Sequence, residues 1–289
     1  MAKRKKSKYP EIEKLYDSLL YAKTAWEVWE DIIQLFAISL SNALDVGERR
    51  DKREKEYLRI QAKYSEKEMI TIANILALIV GLYEEDPDQD VLGEIYMALG
   101  LGSSELGQFF TPYNVCKMMA KMVVGNKEFN ENEIAKRGYI SVNEPACGAG
   151  ATIIALLNAY REMGINYQTD VFVMAQDLSY ITALMCYIQL SLLGCAAVIV
   201  VGDTICNPPT TAQTIWETAG NMWFTPKYQS ELWRARREAK LLAESLHIMG
   251  TQIAREKPTE EKKEIAEPVP ETPKEENNKV LVAEQLSLF

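Results

Sequence analysis

Tyr139-Ile140-Ser141-Val142-Asn143-Glu144-Pro145-Ala146-Cys147-Gly148-Ala149-Gly150 is followed at once by a helical stretch over residues 152–163. A short apolar, partly β-branched run, then a Pro- and Gly-containing turn, then helical periodicity spells strand, loop, helix. Two more such runs, Val171-Phe172-Val173-Met174 and Ala197-Val198-Ile199-Val200-Val201, flank a second helical stretch over 179–193. The alternation predicts a parallel α/β sheet. In such a sheet the loops leaving the strands share one edge, where ligands bind, and the glycines at 148 and 150 let backbone N–H groups approach a ligand at a helix N-terminus. The second strand runs into Gln176-Asp177 and the third into Gly202-Asp203-Thr204. An acid at the second strand end is placed to accept from ribose hydroxyls, and one at the third to receive an adenine amino group. Three polar strand ends on one edge predict a nucleoside-bearing cofactor. The loop does not spell the G-x-G-x-x-G fingerprint of nicotinamide-dependent enzymes.

Upstream, Leu15, Leu19, Ala22, Trp26, Trp29, Ile33, Phe36 and Leu40 recur at helical spacing, which predicts a helix over about 10–45. A charged stretch over 48–59 leads into an apolar helix at 69–83, which Asp86-Pro87-Asp88 breaks, and Leu92, Ile95, Tyr96 and Leu99 mark a further short helix. Downstream of Asp203 no further strand is evident, and 230–253 reads as a helix rich in Arg and Glu. The expected organisation is a helical N-terminal region over 1–105, a cofactor-binding domain over 106–253, an acidic and Pro-containing linker over 254–279 and an apolar docking peptide over 280–289.

The composition narrows the chemistry. Of 289 residues 47% are apolar and 25% charged, the balance of a globular protein. With 32 Lys and Arg against 41 Asp and Glu the net charge is -9, so any DNA contact must come from local basic patches such as residues 2–8 or Arg234-Ala235-Arg236-Arg237. The only histidine, His247, lies outside every motif, which argues against His-based catalysis or a zinc site. The five cysteines form no C-x-x-C pair, no secretory signal is evident and the longest apolar run is too short to span a bilayer, so a reducing cytoplasm is expected.

These residues resemble the adenine-N6 DNA methyltransferases of the type I restriction-modification kind, the modification subunits and their phage or mobile-element relatives. Residues 90–96, Asp-Val-Leu-Gly-Glu-Ile-Tyr, look like that family's D-x-L-G-x-x-Y segment. Residues 107–112, Gly-Gln-Phe-Phe-Thr-Pro, are similar to its G-x-F-[FY]-T-P motif, and 144–150 resemble D-P-A-C-G-S-G with Glu144 for Asp and Ala149 for Ser. Gln176-Asp177, Thr182 and Gly202-Asp203-Thr204 complete the series. The resemblance implies a Rossmann-like methyltransferase fold, its sheet truncated if no more strands follow, and S-adenosylmethionine as cofactor. Phe110, Thr111 and Pro112 would close over it, with Glu144, Ala146, Cys147, Gly148 and Gly150 under the methionine moiety, Asp177 on the ribose and Asp203 beside the adenine. DNA would be the substrate.

Active relatives carry [DN]-P-P-[FY] after a fourth strand, where the Asn or Asp holds the target amine and the aromatic ring stacks on a flipped base. Asn207-Pro208-Pro209-Thr210 looks like this motif, but it begins only four residues after Asp203 and lacks the ring, so a plain turn competes with a catalytic role. Trp223-Phe224 offers the other aromatic cluster, as a stacking surface on a loop or as core. Gln285-Leu286-Ser287-Leu288-Phe289 resembles the bacterial sliding-clamp-binding pentapeptide, with Leu286, Leu288 and Phe289 as groove anchors. Two functions are therefore expected in competition: an adenine-N6 DNA methyltransferase, with DNA recognition shared with a specificity subunit, and a catalytically degenerate cofactor-binding adaptor tethered to the clamp.

Overall fold

The structure, a computed structural model, describes residues 8–102, 110–208 and 221–256, the side chains of 244–256 excepted. The chain divides into a compact unit over 1–234 and a second over 235–289.

The first helices are α1 (Pro10–Asp17), α2 (Ala25–Asn42), α3 (Gly47–Gln61), α4 (Glu66–Glu85) and α5 (Val91–Ala98). Where one helix was expected over 10–45 there are two, because Thr24 and Glu27 form a reciprocal capping box that starts α2 afresh. Ser65 and Glu68 do the same for α4, which ends just before Pro87. The charged stretch is itself helical: α3 buries only Arg53 and Ile60, too little apolar surface to show as a periodic stripe. At the start of α5 the Asp90 side chain accepts from Gly93 N at 3.1 Å, and a Cβ on residue 93 would lie 2.1 Å from Asp90 Oδ2. Glycine is thus the residue that leaves room for this cap.

Next come α6 (Tyr113–Val123), α7 (Lys127–Arg137), β1 (Ile140–Glu144), α8 (Ala151–Glu162), the single turn α9 (Tyr167–Asp170), β2 (Val171–Asp177), α10 (Tyr180–Leu192) and β3 (Ala196–Val201). β4 (Met222–Phe224) and α11 (Glu231–Glu256) follow. Among the described residues the sheet has four strands in the order β1-β2-β3-β4, the first three parallel and β4 antiparallel to β3. This is a Rossmann-like α/β arrangement, and α8 and α10 connect its parallel strands. Among the described residues no helix is long and apolar enough to cross a membrane.

One continuous hydrophobic core joins α2, α4 and α5 to α8, α10 and one face of the sheet, through Ile33, Ile79, Leu92, Ile154 and Leu184 among others. The other face is aromatic, with Tyr139 and Trp233 ring centroids 5.4 Å apart and Phe172 and Tyr228 5.5 Å apart. Trp223 and Phe224 are buried in β4, so they are core and not a stacking surface on a loop. Thr225 fastens that strand, donating to Cys195 O at 2.7 Å and accepting from Ala197 N at 2.9 Å. Along the outer side of β4, Arg53 of α3 stacks its guanidinium 3.6 Å from the Trp223 ring centroid and donates to Met222 O at 2.7 Å.

Candidate functional site

The loop after β1 is pinned from three directions. Glu144 accepts from Ala146 N at 3.3 Å and from Thr152 Oγ1 at 2.9 Å, tying the loop to the first turn of α8. Cys147 N donates to Gln176 O at 2.9 Å, carrying the β1–β2 pairing into the loop. Asp177 Oδ2 accepts from Gly148 N at 2.8 Å, while its Oδ1 accepts from Ser179 N and Thr182 Oγ1, both at 2.9 Å. These three bonds leave about one of the roughly four acceptor positions of a carboxylate for a ligand.

Gly148 and Gly150 adopt φ of +51° and +99°, in the region glycine favours. A Cβ on Gly148 would stand 3.4 Å from the Phe110 ring, and one on Gly150 would stand 3.0 Å from Cys186 Sγ. Phe110 packs in turn on Tyr96, with centroids 5.1 Å apart, so the last residue of the 90–96 segment supports the ring over the glycine loop. A cleft of about 210 Å³ lies here, lined among others by Phe110, Ala146, Gly148, Thr152, Asp177 and Thr182. The neighbouring Cys186 thiol, together with burial, raises the Cys147 thiol above its ordinary range.

The 202–208 loop crosses the same edge. Thr204 Oγ1 donates to Pro145 O at 2.6 Å, joining the end of β3 to the loop after β1. Asp203 Oδ1 accepts from Ile205 N at 2.8 Å and Cys206 N at 3.2 Å, and these bonds hold its carboxyl below the usual carboxylate range. Asn207 lies in the turn leaving β3, its N–H donating to Asp203 O at 2.8 Å and its carbonyl accepting from Gln176 Nε2 at 3.2 Å. Pro208 follows it; Pro209, Thr210, residues 107–109 and the terminal Gln285, Leu286, Leu288 and Phe289 lie outside the described residues.

The structure thus gathers Phe110, Thr111, Ala146, Cys147, Gly148 and Asp177 around one cleft, with Asp203 and Asn207 on the adjoining loop. Sequence reasoning passed over Leu178 and Ile205, which are 75% and 93% exposed beside Asp177 and Asp203. The available signal was a large apolar residue directly after, or two after, each strand-end acid. Gln176, already named at the end of the second strand, has an Oε1 that is buried without a hydrogen-bond partner among the described residues.

The donor set suits S-adenosylmethionine. A side-chain-free glycine cradle, the N-terminus of α8 and a carboxylate at the end of β2 provide close backbone approach and a hydroxyl acceptor.

Among known proteins, the family model described as N-6 DNA Methylase matches residues 87–250. A solved structure described as a class I S-adenosylmethionine-dependent methyltransferase from Listeria monocytogenes is similar at a TM-score of 0.38 and 14% identity. That match covers 69% of this chain and 55% of the other, so this chain spans little more than half of that protein's length. No curated protein matches. The N-6 DNA Methylase match runs from the Asp90 cap through the glycine cradle and the whole sheet, more than half of the chain; the chain belongs to the N-6 DNA methylase family, and its cofactor is S-adenosylmethionine.

Proposed function

We propose that the protein transfers a methyl group to the N6 amine of adenine in DNA. The observation that carries this reading is the cradle at residues 144–150, pinned by Asp177 in a chain of this family. At about 210 Å³ the cleft is smaller than the roughly 300 Å³ at which drug-sized pockets begin, so it suits the amino-acid arm of the cofactor. The nucleoside would lie outside it, its ribose near Asp177 and its adenine beside Asp203, against the exposed Leu178 and Ile205.

When bound, the cofactor supplies a sulfonium methyl group. A neutral amine beside that methyl group would need to be positioned and desolvated and would need no strong base, so the part of this chain would be to hold the two reactants in line. Asn207, with the carbonyl of Pro208, would hold the amine of an extruded adenine. Incubation with labelled cofactor and unmethylated DNA, followed by nucleoside analysis, should yield N6-methyladenine. Asp177→Ala should lose about tenfold or more in cofactor affinity by breaking three hydrogen bonds. Cofactor binding with no transfer, alone or with a specificity subunit, would contradict this reading.

That second outcome would favour a cofactor-binding adaptor, and one observation leans that way: Asn207 lies in the turn leaving β3 and not at the end of a strand of its own. In either reading we assign the terminal Gln285, Leu286, Leu288 and Phe289 to a bacterial sliding clamp in the cytoplasm of the host. The stretch expected as a linker over 254–279, whose first three residues belong to α11, would serve as a tether, which raises the effective concentration of the domain on replicating DNA. Retention on immobilised clamp should vanish on changing Leu288 and Phe289 to Ala; unaltered retention would refute the assignment.

A further inference from the structure

Gln189 belongs to none of the motifs above. It sits on α10, fully buried, and all four hydrogen-bonding positions of its amide are filled. Nε2 donates to Ala149 O at 2.6 Å and to Asp90 Oδ1 at 2.8 Å. Oε1 accepts from Leu92 N at 2.9 Å and from the Tyr83 hydroxyl. One side chain therefore joins α4, the cap of α5 and the cofactor loop.

Ala149 is the residue between the two positive-φ glycines. Its carbonyl belongs to the same peptide plane as Gly150 N–H, which donates to Cys147 O at 2.8 Å. Holding that oxygen fixes the peptide where the loop turns into α8. Glu144 and Asp177 hold two other peptides of the loop through Ala146 N and Gly148 N. Cys147 N and Pro145 O are held as well, by Gln176 O and Thr204 Oγ1, and Gln189 is the tether that reaches the loop from behind, through the core.

We propose that Gln189 is a positioning residue for the cofactor: by gripping Ala149 O it sets the cradle, and by gripping Asp90 and Leu92 it makes that setting depend on the helical region. The proposal rests on the cofactor assignment. Its chemistry allows the two grips to be separated. Gln189→Glu exchanges the donor for an acceptor, which faces both Ala149 O and Asp90 with oxygen. Adding Asp90→Asn restores one grip, because the amide introduced at position 90 can donate to the carboxylate at position 189; since Asp90 Oδ1 accepts from both Gln189 and Gly93, the exchange gives up the Gly93 cap. Leu92 N and the Tyr83 hydroxyl can also donate to that carboxylate, whereas Ala149 O remains without a donor.

The test measures S-adenosylmethionine affinity and thermal stability of the full chain for wild type, Gln189→Glu and the double variant. Gln189→Glu is expected to lose both stability and about tenfold or more in affinity, the scale of one buried hydrogen bond left unmade. The double variant is expected to regain part of the stability while its affinity stays about tenfold or more below wild type. If Gln189→Glu fails to fold, the double variant alone decides. Affinity that returns with stability would make Gln189 a purely structural residue and overturn the proposal, as would unchanged affinity in a folded Gln189→Glu protein. A wild type that takes up no S-adenosylmethionine would instead remove the cofactor assignment and this proposal with it.

Discussion

Replacing Arg53 by Met is expected to destabilise the protein by about 3–5 kcal/mol, the usual cost of removing one partner from a buried ion pair. Arg53 is 7% exposed and its partner Asp45 2%, measured on side chains. The guanidinium donates to Asp45, to Ser41 Oγ at 2.8 Å and to Met222 O at 2.7 Å, and it covers the Trp223 ring. Met fills similar volume but leaves a buried carboxylate and an uncapped carbonyl on the outer side of β4. Arg49, 3.5 Å from Asp45 Oδ1, offsets part of this, so the lower half of the range is expected. Thermal or urea unfolding measures it. Adding Asp45→Asn should recover much of the loss, since the orphaned charge is then gone. A change under about 1 kcal/mol would mean that the pair carries no more than an exposed ion pair does.

Gly148→Val is expected to abolish cofactor binding, a loss of about 100-fold or more in affinity, or about 2.7 kcal/mol. Two effects combine. At φ +51° a β-branched residue adopts a backbone conformation that costs roughly 1–2 kcal/mol. Its branches would also extend beyond a Cβ that already lies 3.4 Å from the Phe110 ring, into the cleft itself. The measurement is a thermal shift: S-adenosylmethionine should raise the unfolding midpoint of wild type by mass action and leave that of the variant where it was. An equal shift in both would place the ligand elsewhere.

The central sheet was legible because its strands are runs of Val, Ile and Ala bounded by turn residues, and the residues that line the cleft cluster at their ends. Asp177 and the 144–150 loop were readable for that reason. α3 was not read as a helix because its main contribution to the fold is a guanidinium, and charged residues look like solvated surface in a sequence. β4 was missed because three residues show no periodicity; its burial comes from β3 and α3, neither of which is adjacent in the chain. Gln189 was passed over as one polar residue in an apolar helix. A signal was present, since it stands two turns from Thr182 on the same face of α10, and an uncharged polar residue in that position has to find partners in the core. Its partners lie 40 and 99 residues away, at Ala149 and Asp90, so only the fold reveals them.

Neither Leu178 nor Ile205 makes sense as core, and both follow strand-end acids on the edge that the cradle occupies. Four pinned peptides, one remaining acceptor position on Asp177 and two exposed apolar side chains are the features on which the proposed link between this fold and its cofactor rests. Calorimetric titration of the full chain with S-adenosylmethionine tests that link most directly. Saturable binding of one cofactor per chain is expected, and none in Gly148→Val; a folded wild-type protein that gives no binding heat, and no shift in its unfolding midpoint, would contradict the link.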